Sequence, residues 1–213
     1  MHRLQRGPAP ICLARHRHGR DNWSALDGAD RTEIWQTLEA MQSRRCAYCE
    51  AAIAEGNRHI EHFVQKGRDP RVTFQWDNLF GSCNREDSCG KYKDHGAGAY
   101  NPGDLLKPDV DDPDHYFVFV ADGTIQLRAG LNDTDRQRAS ETLRVFNLDA
   151  EHGALRHMRQ RESAGYVPIA EELWTLFDEF PEDEWQQLLD DELAATTHLP
   201  FVSAIRHTLC RMS

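Results

Sequence analysis

The sequence predicts an α+β fold in which a small zinc-stabilised finger is followed by a mostly helical extension. Three observations point that way. Two cysteine pairs, Cys46-x2-Cys49 and Cys83-x5-Cys89, bracket a short strand-like stretch at 57–63. A hairpin signal, HYFVFV-ADG-TIQLRAG, follows, with Asp122-Gly123 at its turn. Beyond it come amphipathic patterns of helical period, each opened by an Asp or a Pro.

The bulk numbers suit that reading. A chain of 213 residues has room for one ordinary domain, or a small domain with an extension. Its apolar content of 39% and mean hydropathy of −0.70 fit a modest core in water. No run approaches the ~18 apolar residues of a membrane helix. The basic start, MHRLQRGPAPICLARHRHGR, lacks the apolar stretch of a secretory leader, so the expected compartment is the cytoplasm. There, six cysteines read as reduced thiols available to a metal. The net charge of −10 is uneven: residues 1–97 carry +2 and residues 98–213 carry −12. The second half would repel a phosphate backbone, which leaves any nucleic-acid chemistry to the first half.

In order, residues 1–27 read as irregular, broken by Pro8 and Pro10. DGADRTEIWQTLEAMQSRR predicts a helix capped near Asp30, with Ile34, Leu38 and Met41 on its inner face. A strand at 57–63, a loop over 64–77 holding Gly67 and Pro70, and a turn and helix from Asn78 to Asp94 come next. GAGAYNPGDLLKPDVDDPD has the composition of a linker and divides the chain into two expected units. Residues 1–97 form the N-terminal segment and finger; residues 98–213 form a hairpin plus helical extension, the expected partner-docking region. DTDRQRASETLRVFNL and DAEHGALRHMRQRES open on capping Asp residues. PIAEELWTLFDEF, PEDEWQQLLDDELA and PFVSAIRHTLCRM open at a Pro suited to a first helical turn. Their acidic run from Glu171 to Glu192, Asp178 included, is the wet face of amphipathic helices, or with Leu173, Trp174, Phe177, Trp185 and Leu188 a surface for another chain.

The cysteines carry the chemistry. A Cys-x2-Cys knuckle places two thiolates on one tetrahedral ion, and Cys83 with Cys89 would complete a zinc site of four sulfurs. The alternative is four buried thiols acting as small hydrophobes. Cys12 and Cys210 have no partner at ligand spacing. Between the pairs lies RHIEHFVQKG, where His59, Glu61 and His62 crowd a strand end. Alone, that stretch reads as solvated polar surface.

A zinc knuckle, an acid-His pair at a strand end, an Asn, and a helix with the second cysteine pair and a Lys resemble the HNH endonucleases, a family built on a ββα-metal finger. The resemblance assigns His62 as general base, Glu61 as acidic ligand of a catalytic Mg²⁺ or Mn²⁺, and Asn78 as the residue that holds the loop and orients the histidine. These residue types suit phosphodiester hydrolysis, which needs an activated water and a charge-stabilised phosphate. There is one departure. Cys89-Gly90-Lys91-Tyr92-Lys93 has Gly90 where the pattern carries its last His, so Asp94 becomes the expected second metal ligand, with His59 as helper and Lys93 as a phosphate contact or a solvated lysine.

More narrowly, CAYCE, HIEHFVQK, WDNLFGSC, SCGKYKD and ETLRVFNLDAEHGALRHMRQR look like the PtuB family of HNH subunits, which serve Septu antiphage systems and are also attached to retrons. That resemblance implies a PtuA-like ATPase partner and a DNA substrate, phage or host. Two other functions stand beside it. A zinc adaptor that docks an ATPase through its acidic helices would not need Glu61, His62 and Asn78 together. A transcription factor would need a basic recognition helix, which the acidic second half does not supply.

Overall fold

Residues 1–177 and 179–211 are described by a computed structural model; Asp178 of the acidic run lies outside them. The chain enters through an irregular segment with 3₁₀ turns at Ile11–Arg15 and Trp23–Ala25. Helix α1 (Gly28–Gln42) follows. Its N-cap is Asp27 rather than the expected Asp30: the Asp27 side chain accepts from the Asp30 N–H, and Asp30 bonds back to the cap in a capping box. Ile34 and Leu38 are buried as the periodicity predicts.

The knuckle Cys46–Cys49 is pinched off by a bridge between Arg45 and Ala52. Strand β1 (Arg58–His62) then pairs antiparallel with β2 (Leu79–Cys83), setting His59 opposite Ser82 and Glu61 opposite Phe80. Helix α2 (Cys89–His95) completes a strand, strand, helix order. The hairpin forms as expected from β3 (Phe117–Phe119) and β4 (Ile125–Leu127). Gly123 is needed in its turn: φ is +89°, and a Cβ would lie 2.1 Å from the Arg156 carbonyl oxygen. The remaining helices are α3 (Asp133–Val145), capped by Asn132, α4 (Ala154–Ala164), α5 (Val167–Leu176), α6 (Glu182–Thr196) and α7 (Val202–Leu209).

The linker-like stretch does not divide the hydrophobic core. Cys46, Tyr48 and Phe80 share one buried cluster with Leu106, Phe117, Phe146 and Phe201. The Tyr48 and Phe146 rings stack with centroids 4.1 Å apart. Backbone and side chains tie the C-terminal end to the knuckle as well. Phe201 N–H donates to the Glu50 carbonyl at 3.2 Å, Ser203 N–H to Glu50 Oε2 at 2.9 Å, and Arg45 reaches the carbonyls of Thr197 and Leu199 at 3.0 and 2.9 Å. Burying that much apolar surface needs both halves, because a finger this small cannot cover it alone.

The far end has its own cluster of Leu173, Trp185, Leu189, Ile205 and Leu209. Trp185 is internal, its Nε1 donating to the Leu173 carbonyl, and Trp174 is half-buried against the cluster. Phe177, Phe180 and Leu188 stay exposed. No helix among the described residues is long and apolar enough to cross a membrane.

Candidate active site and metal centre

The four expected cysteines come together. Their sulfurs lie within 4.8 Å of one another and all four residues are buried. Cys49 Sγ and Cys83 Sγ are 4.0 Å apart, close to the ~3.8 Å that Zn–S bonds of ~2.3 Å impose in a tetrahedron. The knuckle brings two sulfurs, the end of β2 the third, and the first residue of α2 the fourth. Cys89 takes φ +59° to turn its side chain into the cluster. Ser82 Oγ braces the corner, 3.8 Å from Cys46 Sγ and accepting from Gly90 N–H at 3.2 Å. Four free thiols packed this way fit Zn²⁺, and zinc would supply structural cross-linking rather than chemistry. Cys12 and Cys210 lie outside the cluster, as expected.

His62 ends β1 and is 5% exposed. Its Nε2 bonds the Thr73 carbonyl at 3.1 Å, which only an N–H can do, so Nδ1 is left as the acceptor. The Trp23 ring meets its edge at 4.5 Å. Burial, with Lys66 and Lys93 nearby, pushes its pKa down to about 4, so the imidazole is neutral at pH 7. Asn78 holds the loop around it. Its Oδ1 accepts from Val64 N–H at 2.7 Å, and its Nδ2 donates to the carbonyls of Val64 and Val72 at 3.0 and 3.2 Å. The Thr73 carbonyl that fixes His62 follows directly on this bonded turn.

Glu61 faces elsewhere. Glu61 and His62 do not share a face, because adjacent strand residues project to opposite sides. Glu61, 2% exposed, turns towards α2, and Gly90 makes room for it: a Cβ there would sit 2.4 Å from Glu61 Oε2. The missing side chain at 90 is thus a space filled by the carboxylate. His59 Nε2 lies 3.2 Å from Glu61 Oε2, while its Nδ1 lies 3.0 Å from Asn84 Oδ1. Both partners accept, so a His59 making both bonds is an imidazolium. Although burial opposes it, the Glu61 carboxylate holds the His59 pKa above the usual value.

Lys93 is neither solvated nor free for phosphate. It is 1% exposed. Its Nζ lies 2.8 Å from Glu61 Oε1, contacts Asp94 Oδ1, and donates to the His62 carbonyl at 3.1 Å and the Tyr100 hydroxyl at 3.4 Å. Against burial, Glu61 and Asp94 raise its pKa, so it is charged. Gln65 Nε2 donates to the same Asp94 oxygen at 2.7 Å. Glu61 and Asp94 therefore converge as expected, but on an ammonium. Among the described residues the thiol cluster is the one grouping of three or more ligand atoms close enough for a metal. His59, Glu61 and Asp94, as they stand, do not fit a divalent ion. Thr73, Ser82, Asn84, Gln65 and Tyr100 were not foreseen. Each is a common polar residue whose role appears only when the chain folds.

No family model matches the chain. It is 31% identical over 81 residues to the Septu protein PtuB of Bacillus thuringiensis, a match covering 37% of this chain and 30% of that protein. It is 25% identical over 137 residues to a candidate HNH endonuclease of retron Vc95 from Vibrio cholerae serotype O1 biovar El Tor, covering 61% of this chain and 64% of that protein. The chain therefore matches less than two thirds of the length of either relative. The resemblance carried by the motifs is thus met by two known proteins, and the chain is similar to PtuB and to a retron-encoded HNH endonuclease candidate.

Proposed function

We propose that the protein is an HNH-type endonuclease of an antiphage defence system, hydrolysing DNA phosphodiester bonds with His62 as general base. One observation carries the reading: a neutral imidazole whose Nε2–H is fixed on the Thr73 carbonyl, leaving Nδ1 to take a proton from water. Asn78 is a positioning residue, acting on His62 through the turn it staples. The four cysteines would hold zinc and set the angle between the strands and α2. Glu61 faces the side of β1 opposite the His62 ring and, with Asp94, is neutralised by Lys93. Proton transfer to His62 and the bracing of its turn are steps of the protein's own groups, and neither passes through the Mg²⁺ or Mn²⁺ that the resemblance implies.

The charge distribution supports a complex rather than a lone nuclease. A +2 finger gathers few phosphates, and a −12 extension repels them. A PtuA-like ATPase docked on the helical extension, with Phe177, Phe180 and Leu188 exposed there, would supply the missing positive surface. A second reading, a non-catalytic zinc adaptor, draws support from the burial of His62 and its edge-on contact with the Trp23 ring. Cleavage of supercoiled plasmid by the zinc-loaded protein assembled with its ATPase separates the two. The nuclease reading expects nicking or cutting that His62→Ala abolishes with zinc retained; equal cleavage by the variant removes His62 as the base.

A further inference from the structure

The irregular segment before α1 holds a basic run, RHRHGR over residues 15–20, that neither the thiol corner nor the His62 turn uses. Ring contacts fix this segment over His62. The Phe74 ring lies between His16 and Trp23, with centroids 5.4 and 6.0 Å away, and the Trp23 ring meets His62 at 4.5 Å. Phe74 directly follows Thr73, whose carbonyl holds His62. The turn after β1 brings a second basic run, Lys66 to Arg71. Lys66 is exposed and its charge reaches the His62 ring. His18 of the first run acts by charge on Asp69 of the second. Together, residues 15–21 and 66–71 set six Lys and Arg against two Asp, a surplus of four, where residues 1–97 as a whole carry only +2. The positive charge of the finger is therefore gathered beside its proposed base. Within the two runs, Arg15 is engaged by Asp30, Arg20 by Asp21 and Arg71 by Asp69, and Arg68 donates to the Tyr100 carbonyl. The exposed side chains of Arg17 and Lys66 have no hydrogen bond or ion pair among the described residues.

We infer that the two runs form the phosphate-binding surface of the finger, with Arg17 and Lys66 each taking a backbone phosphate of a nucleic-acid strand laid over His62. The inference rests on the nuclease reading for its purpose, but its test is binding alone. Phosphates attract such cations through the release of counterions, whatever the base sequence. Contacts of this kind seat a strand without reading it. The arginines held by Asp21, Asp30 and Asp69 fix the shape of the two runs and leave Arg17 and Lys66 to the ligand. Two contacts are few. Each adds about 0.9 to the slope of log affinity against log salt, so two lose about tenfold in affinity between 50 and 200 mM. The surface therefore positions a strand at His62 and does not hold it firmly, in keeping with a chain whose partner supplies further positive surface. An acidic protein partner is the competing occupant.

The test is binding of the full-length, zinc-loaded chain to a short fluorescent DNA duplex, read by anisotropy from about 20 to about 200 mM salt without added divalent ion. Arg17→Ala and Lys66→Ala should each weaken binding about threefold or more at the lowest salt, and each should lower the salt slope by about one. Arg161→Ala, on α4 in the acidic extension and paired with its neighbour Glu162, should change neither. Both target side chains are exposed and unpaired, so the variants should fold, which their zinc content checks. Unchanged affinity and slope in either variant overturn the inference, as does absence of binding by wild type at the lowest salt. Intact DNA binding with loss of the ATPase complex assigns the surface to a protein partner and overturns it equally. Neither cleavage nor a catalytic metal is read, so a failure of His62 as the base would leave these results untouched.

Discussion

The finger holds two buried polar clusters on the same strands and helix, and they are neutralised in opposite ways. The thiol corner gathers four sulfurs within 4.8 Å of one another, with Arg85 and Arg159 acting on them by charge alone. The carboxylate nest, built from Glu61 of β1 and Asp94 of α2, carries its own cation in Lys93. Thiolates held that close repel one another unless a metal binds, so the corner depends on an ion from outside. Carboxylates paired with an internal ammonium can fold without one. A cluster's residue types alone do not say whether it needs a metal; whether the chain has already supplied the counter-charge does.

The largest test of this contrast is removal of zinc. Structural zinc sites contribute on the order of 10–16 kcal/mol to folding in small fingers. Cys49→Ser or strong chelation should therefore unfold the finger, seen as loss of near-UV dichroism, and metal analysis should find about one zinc per chain. A stably folded metal-free protein would show that the corner, like the nest, stabilises itself.

Next in size is His62→Ala, which belongs to neither cluster. Losing a positioned general base lowers rates about 10²–10⁴-fold, while zinc content should barely move. Parallel loss of zinc would mean that His62 supports the corner instead.

The same residue makes stability depend on pH. The unfolded chain takes up a proton at His62 near the ordinary value of 6.5, and the folded chain not until about 4. Stability is therefore full above about pH 6.5 and falls as pH drops towards 4, by about 1.4 kcal/mol per unit at most from this group. His2, also pushed down to about 4 by burial, adds to the same limb. Urea melts across that window check it. In His62→Ala the slope should shrink; an unchanged slope would assign the acid sensitivity to other groups.

The smallest effect is expected at Gly90→Ala, which pushes a methyl to 2.4 Å from Glu61 Oε2. Overpacking of this kind costs about 1–3 kcal/mol, or roughly 2–4 °C of melting temperature per kcal/mol at this chain length. The nest should be disturbed and the adjacent corner spared, so zinc should remain. Zinc loss with Gly90→Ala would show that the two clusters are mechanically one.

By itself, the sequence determined most of the elements, β2 apart, and which four cysteines form the corner. Cys-x2-Cys is a local geometry, and the helix that opens on Cys89 is read from its own pattern, whereas β2, which carries Cys83, forms where the sequence reads as a turn and helix. The DG turn, the α1 periodicity and the approximate starts of the later helices are likewise short-range properties of the chain. Glu61, His62, Asn78 and Asp94 stood out because their types suit hydrolysis.

What each of them faces was decided only by the tertiary structure. The period-2 alternation of β1 sends Glu61 towards α2 and His62 towards Thr73. The space at Gly90 is meaningful only once Glu61 fills it. Lys93 read as a surface residue because nothing local to α2 shows that Glu61, Asp94 and Tyr100 will enclose it. The Gly/Pro-rich stretch read as a linker from composition, but Phe146 and Phe201 cross it to pack against the knuckle. Long-range burial overrides local composition because the finger's apolar surface is too large for the finger alone to cover.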